Sequence, residues 1–201
     1  SPHSDYLNLP VPTEAVLAFS DGMDSRAVAV LIGSGLGPKL VRVRVGSNKI
    51  GRPDKKNRRE PFTMVPYDVP CNMPNREASA RSRGFKFALI SGIAAYLSGA
   101  GEIVIPESGQ GAIGPAIAPV VHAYPDYRNH PRFTQRMERL LKALFGKEIR
   151  YVFPRLWNTK GETLRSFAAL PEGSDWHATR SCWRSNRWSS VNGKRRQCGV
   201  C

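Results

Sequence analysis

The sequence predicts an α/β domain of the doubly wound type, with a mostly parallel sheet, and three observations indicate it. The chain has 201 residues, of which 41% are hydrophobic, and this is enough for the core of one ordinary domain. Short β-rich runs alternate with longer runs of helical periodicity. The first such unit, a strand, tight turn, helix and second strand, has the spacing of a parallel βαβ unit.

Hydrophobic patterning and punctuating residues predict the elements in order. A strand over residues 14–19 leads into a helix over residues 26–32, which we expect to stop at Gly33, Gly35 and Gly37. The further expected strands are residues 40–45, 62–65, 102–105 and 148–153. The further expected helices are residues 77–99, 132–145 and 159–169, the last with Thr159 as N-cap and Glu162 as capping-box partner.

Two segments are expected to lack regular structure. Residues 106–131 form a long loop rich in glycine and proline, and loops of this length are usually functional or disordered. From residue 174 the chain is polar and cysteine-bearing, and it is too irregular for a core element. Its stretch 183–197 combines arginine with tryptophan, which fits either nucleic-acid stacking or a solvated loop. We therefore predict a main domain of residues 1–173 and a C-terminal segment of residues 174–201.

The chain is strongly basic. Its 30 Lys and Arg residues against 16 Asp and Glu residues give a net charge of +14. Such a field attracts nucleic acid, nucleotide phosphates or another anionic substrate, and it does not choose among them. No apolar run reaches the roughly 20 residues of a membrane span, and residues 1–12 lack the layout of a signal peptide. These observations predict a soluble, cytoplasmic protein.

A candidate phosphate-binding turn joins the first strand to the first helix. Residues 20–25 read Ser-Asp-Gly-Met-Asp-Ser, and the start of a helix presents backbone N–H groups and a positive dipole end to an anion. Gly22 allows a close approach, Ser20 and Ser25 carry hydroxyl donors, and Asp24 is a possible ligand of Mg²⁺. An ordinary capped helix start explains the same residues equally well.

The turn resembles the PP-loop, Ser-Gly-Gly-x-Asp-Ser, of ATP pyrophosphatases, which cleave ATP between its α and β phosphates. The resemblance implies a Rossmann-like fold of the adenine nucleotide alpha hydrolase type, with ATP and Mg²⁺ as ligands. Asp21 stands where the motif usually has glycine, and its carboxylate should repel a pyrophosphate unless it points away or binds metal. The nucleotide contacts implied are Ser20, Asp21, Gly22, Met23, Asp24 and Ser25, with Arg81 and Arg83 as further candidates that fit a solvated helix face equally well.

Four further blocks, in order along the chain, resemble the 7-cyano-7-deazaguanine synthases, the QueC family. They are Tyr124-Pro-Asp-Tyr-Arg128, residues 154–164 around Lys160, Ser181-Cys182-Trp183, and Cys198-Gly-Val-Cys201. In that family a carboxylate on deazaguanine is adenylated, ammonia displaces AMP to give an amide, and a second adenylation leads to the nitrile. The resemblance implies this ligase activity here, with Asp24, Ser25 and Lys160 as catalytic residues and Tyr124, Asp126 and Arg128 as substrate contacts. A structural salt bridge explains Asp126, Arg128 and Lys160 equally well.

The resemblance also implies a structural zinc site, or zinc knuckle, in the C-terminal segment. Four cysteine thiolates hold zinc in the QueC family, and a Cys-x-x-Cys turn presents two of them. Three ligands stand in this sequence, namely Cys182, Cys198 and Cys201. The family's last ligand would follow three residues after Cys201. Either the sequence is trimmed, or Cys71 or His177 completes the site.

The stretch after the fourth expected strand departs from the synthases. Residues 105–111 contain a Pro-Glu-x-Gly pattern that is more similar to QueC-like paralogues of bacterial defence systems, so a nucleic acid or a protein is an alternative acceptor to a deazapurine. Two rival functions stay open. The basic charge suggests a tRNA-thiolating PP-loop enzyme, and Asp21 suggests a nucleotide- or nucleic-acid-binding module without catalysis. A homodimer is one option for the assembly.

Overall fold

The computed structural model describes residues 12–20, 22–46, 62–66, 82–113, 129–173, 188–191 and 194–197. In these residues, one five-stranded sheet consists of β1 (Ala15–Ala18), β2 (Leu40–Gly46), β3 (Phe62–Pro66), β4 (Glu102–Val104) and β5 (Arg150–Val152). The described helices are α1 (Met23–Leu36), α2 (Ser82–Ser98), α3 (Gly109–Ile113), α4 (Pro131–Phe145) and α5 (Lys160–Ala168).

The strand order is β3-β2-β1-β4-β5, and each neighbouring pair is parallel. The chain builds the sheet outward from β1 in one direction as far as β3, and it then returns to the other side of β1 with β4. Helices cover both faces of the sheet, so the predicted doubly wound α/β class is confirmed. The fold is Rossmann-like.

Two cores lie on the two faces, because successive strand residues point to opposite sides. On one face, Val16 and Ile103 pack with Leu141 of α4 and with the small residues of α2. On the other face, Leu17 packs with Val28 of α1. The helix α5 packs against α1 on this second face. The hydroxyl of the buried Tyr151 donates to the carbonyl of Ala88 (2.8 Å) and joins β5 to α2.

The first helix is longer than the sequence predicts. It continues through Gly33 and Gly35 and ends at Gly37, whose φ of 51° lies in the left-handed region. A glycine inside a helix costs only about 1 kcal/mol relative to alanine, which the packing of the whole helix outweighs. The expected stop at Gly33 and Gly35 is therefore wrong.

Two other segments are more regular than predicted. The stretch expected to be a loop over residues 106–131 contains α3. In the C-terminal segment, β6 (Trp188–Val191) and β7 (Lys194–Gln197) pair antiparallel, with Val191 opposite Lys194. The two residues between these strands are Asn192 and Gly193, the pair that most favours a two-residue hairpin. The prediction of an irregular tail is therefore wrong for these strands, and residues 174–187 lie outside the described part.

None of the helices in the described residues combines the length and the apolar character needed to cross a bilayer. The expected helix residues 77–81 lie outside the described part of the chain, and β5 is three residues long where six were expected.

Candidate functional site

The candidate site lies where the strand order reverses, between β1 and β4. In open parallel α/β sheets, ligands bind in the crevice outside the carboxyl ends of the strands at this point. The chain leaving β1 enters α1 at Gly22, the chain leaving β4 enters α3, and the chain leaving β5 turns through residues 154–159 into α5. Three connections therefore start from one edge of the sheet.

Hydrogen bonds within the first connection hold the turn together. The N–H of Gly22 donates to Oγ of Ser20 (3.3 Å), and the hydroxyl of Ser25 donates to the carbonyl of Gly22 (3.0 Å). The two serine hydroxyls are 3.3 Å apart. Because Ser25 has one hydroxyl hydrogen and Gly22 receives it, Ser20 is the donor between them. Both hydroxyl hydrogens are engaged inside the turn, so an incoming anion meets backbone donors.

Those backbone donors are at the start of α1. The first intrahelical hydrogen bond runs from the N–H of Arg26 to the carbonyl of Gly22 (3.0 Å). The N–H groups of Met23, Asp24 and Ser25 precede it and have no partner within the helix. In the described part of the chain, no side chain caps the helix at Gly22. The positive end of the dipole of this 14-residue helix therefore favours a nearby anion.

An ion pair connects this helix start to the connection after β5. The ammonium of Lys160 lies 3.0 Å from Oδ2 of Asp24, and the two side chains are 41% and 21% exposed. Lys160 is the first residue of α5, and Asp24 lies in the first turn of α1. The structure thus brings together two predicted catalytic residues that come from separate motifs.

The position of Lys160 is fixed by a capping box. Oγ1 of Thr159 accepts from the N–H of Glu162 (3.1 Å), and Oε2 of Glu162 accepts from the N–H of Thr159 (2.6 Å). The predicted N-cap and its partner are confirmed. The carboxylate of Glu162 also accepts from the hydroxyl of Thr159 (2.9 Å), and the hydrogen bonds from the backbone and then from the side chain of Thr159 hold the pKa of Glu162 below its ordinary value. Helix α5 therefore begins at a defined residue, and that residue faces Asp24.

The connections after β4 and β5 touch through a glycine. The N–H of Gly109 donates to the carbonyl of Asn158 (3.1 Å). A Cβ at Gly109 would lie far inside van der Waals contact with the carbonyl oxygen of Leu156. The guanidinium of Arg155 in the same turn donates to Thr163 (3.3 Å) and Ser166 (3.0 Å) of α5. Close backbone approach and side-chain hydrogen bonds thus hold this turn from two sides.

Two arginines of β2, Arg42 and Arg44, were not among the predicted site residues. The guanidinium carbon of Arg42 lies 5.5 Å from the centre of the Phe19 ring, a cation–π contact. Nη1 of Arg44 is buried and has no hydrogen-bond partner in the described part of the chain. The alternation of apolar and basic residues over 40–45 is the available signal in the sequence, and it predicts a strand with one polar face rather than a site.

The other predicted site residues are only partly described. Arg83 lies in the first turn of α2. The remaining predicted site residues lie outside the described part of the chain. They are Asp21, Cys71, Arg81, Tyr124, Asp126, Arg128, His177, Cys182, Cys198 and Cys201. In the part that is described, His, Cys, Asp and Glu side chains do not group as three or more potential metal ligands. The zinc site therefore remains a prediction.

Comparisons with models of protein families and with curated proteins give no match for this chain.

Proposed function

We propose that this chain is an ATP-dependent, QueC-like enzyme that adenylates a carboxylate of a 7-deazapurine and releases AMP and pyrophosphate. The observation that carries the proposal is the contact between Lys160 and Asp24 at the start of α1. It combines a cation, a carboxylate and a helix N-terminus at the strand-order reversal of a Rossmann-like sheet.

The arrangement suits the β and γ phosphates of ATP. The N–H groups of residues 23–25 and the ammonium of Lys160 are the positive groups, and both lie at the same turn. The capping box and the ion pair position Lys160 before a ligand arrives, so little reorganisation is needed on binding.

The carboxylate of Asp24 fits a site for Mg²⁺. Protein sites for Mg²⁺ commonly use one or two carboxylates, and phosphate oxygens and water complete the octahedron. A bound Mg²⁺ would neutralise charge on the pyrophosphate part of ATP. The side chain of Asp24 is 21% exposed, and only its Oδ2 is used by the contact with Lys160.

The chemistry assigned to the site begins at the α-phosphorus. A carboxylate oxygen of the acceptor attacks this atom, and the bond to the oxygen bridging toward the β-phosphorus breaks with its electron pair. Ammonia then attacks the acyl carbon, AMP leaves, and loss of a proton from nitrogen gives the amide. Negative charge grows on the departing pyrophosphate, so Lys160 and the helix N–H groups bind the transition state more strongly than bound ATP.

The product nucleotide tests the proposal. The sequence has no Gly-Lys-Ser or Gly-Lys-Thr for a P-loop around the γ-phosphate. We expect AMP when the protein is incubated with Mg-ATP, ammonium and 7-carboxy-7-deazaguanine, and no AMP when the deazapurine is omitted. Chromatographic separation of the nucleotides identifies the product, and Asp24→Asn is the inactive control. ADP as product would refute the proposal, and tight ATP binding without turnover would favour a binding module.

A nucleic-acid acceptor is the second candidate, and the exposed face of α4 favours it. Arg132, Arg136 and Arg139 are exposed and recur at about one helical turn, in a chain of net charge +14. Such a row can neutralise successive phosphates, which makes affinity fall steeply with salt. Two results together would select this candidate. AMP formation would require tRNA and a sulfur donor, and the salt dependence of tRNA affinity would be lost when the three arginines are changed to glutamine.

A further inference from the structure

Trp157 is the most exposed large hydrophobic side chain among the described residues. Its exposed fraction is 88%, whereas the next values, for Leu97 and Leu144, are 57%. Single exposed apolar residues are common on protein surfaces. Trp157 differs from them in the way its backbone is held and in its distance from the candidate site.

The backbone on both sides of Trp157 is fixed. The N–H of Leu156 donates to the carbonyl of Phe153 (3.2 Å), and the N–H of Asn158 donates to the carbonyl of Arg155 (3.1 Å). The carbonyl of Asn158 accepts from Gly109 in the neighbouring connection. These hydrogen bonds hold the backbone of the turn. When the indole binds a ligand, only the two side-chain torsions of Trp157 need to become ordered.

Trp157 lies close to the phosphate end of the site. Trp157 is three positions before Lys160, so their Cα atoms are within about 11 Å of each other. It follows β5, on the β4 side of β1, whereas Phe19 and Arg42 mark the β2 side. Ligands of open α/β sheets extend across the strand-order reversal, with one part over each half of the sheet.

We propose that Trp157 is the stacking surface for the planar ring of the acceptor, the 7-deazapurine of the proposed function. The inference rests on the proposed function, since it assigns the acceptor to the β5 half of the crevice and ATP to the phosphate turn. An indole stacks on such a ring irrespective of its substituents, and losing one base–aromatic stack weakens binding roughly 5- to 150-fold.

Two measurements test the proposal directly, and neither depends on turnover. The fluorescence of the full chain is followed during titration with 7-carboxy-7-deazaguanine, guanosine or ATP, and subtraction of the Trp157→Phe spectrum isolates Trp157 from the other three tryptophans. Calorimetry then gives the dissociation constants of the wild type, Trp157→Phe, Trp157→Ala and the control Leu144→Ala.

We expect quenching of Trp157 by the deazapurine, a roughly 5- to 150-fold weaker deazapurine affinity in Trp157→Ala, and largely preserved affinity in Trp157→Phe. ATP affinity should be unchanged in all variants. A loss confined to ATP would overturn the assignment to the acceptor. Trp157 fluorescence that none of the three ligands alters would overturn stacking altogether, even if deazapurine-dependent AMP formation stands. ADP as product would refute the proposed function while leaving a stacking result readable.

Discussion

Lys160 donates a hydrogen bond to Asp24 over 3.0 Å, although 136 positions of the sequence separate them. The contact exists because α1 and α5 pack side by side on one face of the sheet. It joins the turn after β1 to the connection after β5. Variants of this pair therefore test most directly whether the contact serves catalysis or only stability.

Neutralising either partner should abolish most turnover without unfolding the chain. We expect Asp24→Asn and Lys160→Met each to lower AMP formation roughly 10²- to 10³-fold, and the double variant to lose far less than the product of the two factors. Partly exposed ion pairs contribute at most about 1 kcal/mol to stability, so Tm should barely move.

Lys142→Met is the matched control, because it breaks the exposed ion pair with Glu148 on the far side of the sheet. Its AMP formation should equal that of the wild type. Wild-type turnover by Lys160→Met would remove Lys160 from the proposed site.

Gly109→Ala should damage both stability and activity. The added methyl group meets the carbonyl oxygen of Leu156, and neither backbone can yield without opening the contact between the β4 and β5 connections. We expect a loss of about 1–3 kcal/mol in the free energy of unfolding and a lower rate of AMP formation. Gly101→Ala is the control, since nothing lies within 4 Å of its new Cβ. Equal behaviour of the two variants in chemical denaturation would contradict the close approach.

Gly92→Ala should destabilise the packing of α2 against α4. Its Cβ would lie 2.7 Å from Cδ1 of Leu141, a fully buried side chain, and such overpacking costs about 1–3 kcal/mol. Gly33→Ala, in the open on α1, should instead stabilise the chain by up to about 1 kcal/mol through helix propensity. Urea denaturation measures both changes, and a stabilised Gly92→Ala variant would refute this packing.

The capping box makes part of the stability depend on pH. The pKa of Glu162 is lowered in the folded state by its hydrogen bonds to Thr159. Its contribution is therefore complete above the unfolded pKa, about 4.3, and is lost as the pH falls through the lower folded value. We expect the Tm advantage of the wild type over Glu162→Ala to shrink between about pH 5 and pH 3.

Thr159→Ala should cost about 1 kcal/mol at neutral pH, whereas Thr159→Ser keeps the cap and should cost much less. A Tm difference between wild type and Glu162→Ala that stays constant down to pH 3 would show that the ionised carboxylate is not the stabilising form.

Zinc content tests the cysteines of the C-terminal segment. If Cys182, Cys198 and Cys201 are ligands, the purified protein should hold about one zinc per chain. Cys198→Ser should lose the metal and lower Tm, because binding of a structural metal contributes folding free energy. Cys71→Ser tests the fourth ligand, since it loses zinc only if Cys71 completes the site. A metal-free wild type whose Tm a chelator leaves unchanged would refute the zinc site.

The local elements were predictable because short-range patterns specify them. Thr159 and Glu162 form their capping box within one helical turn, and Gly146 ends α4 in a left-handed conformation as a glycine stop predicts. Predictions failed where a local signal was outweighed or overlooked. The packing of α1 outweighed Gly33 and Gly35, and the Asn192-Gly193 signal for a hairpin was overlooked.

The sequence by itself determined the alternation of strands and helices, the tight turn before α1 and the start of α5, because each depends on residues a few positions apart. Only the tertiary structure decided the order of the strands, the contact of Lys160 with Asp24 and the approach of Gly109 to Leu156. These relationships join residues that are far apart in the chain, and they arise from the way the helices bury the two faces of the sheet. Periodicity shows which face of an element is apolar, but it does not show which other element will cover that face.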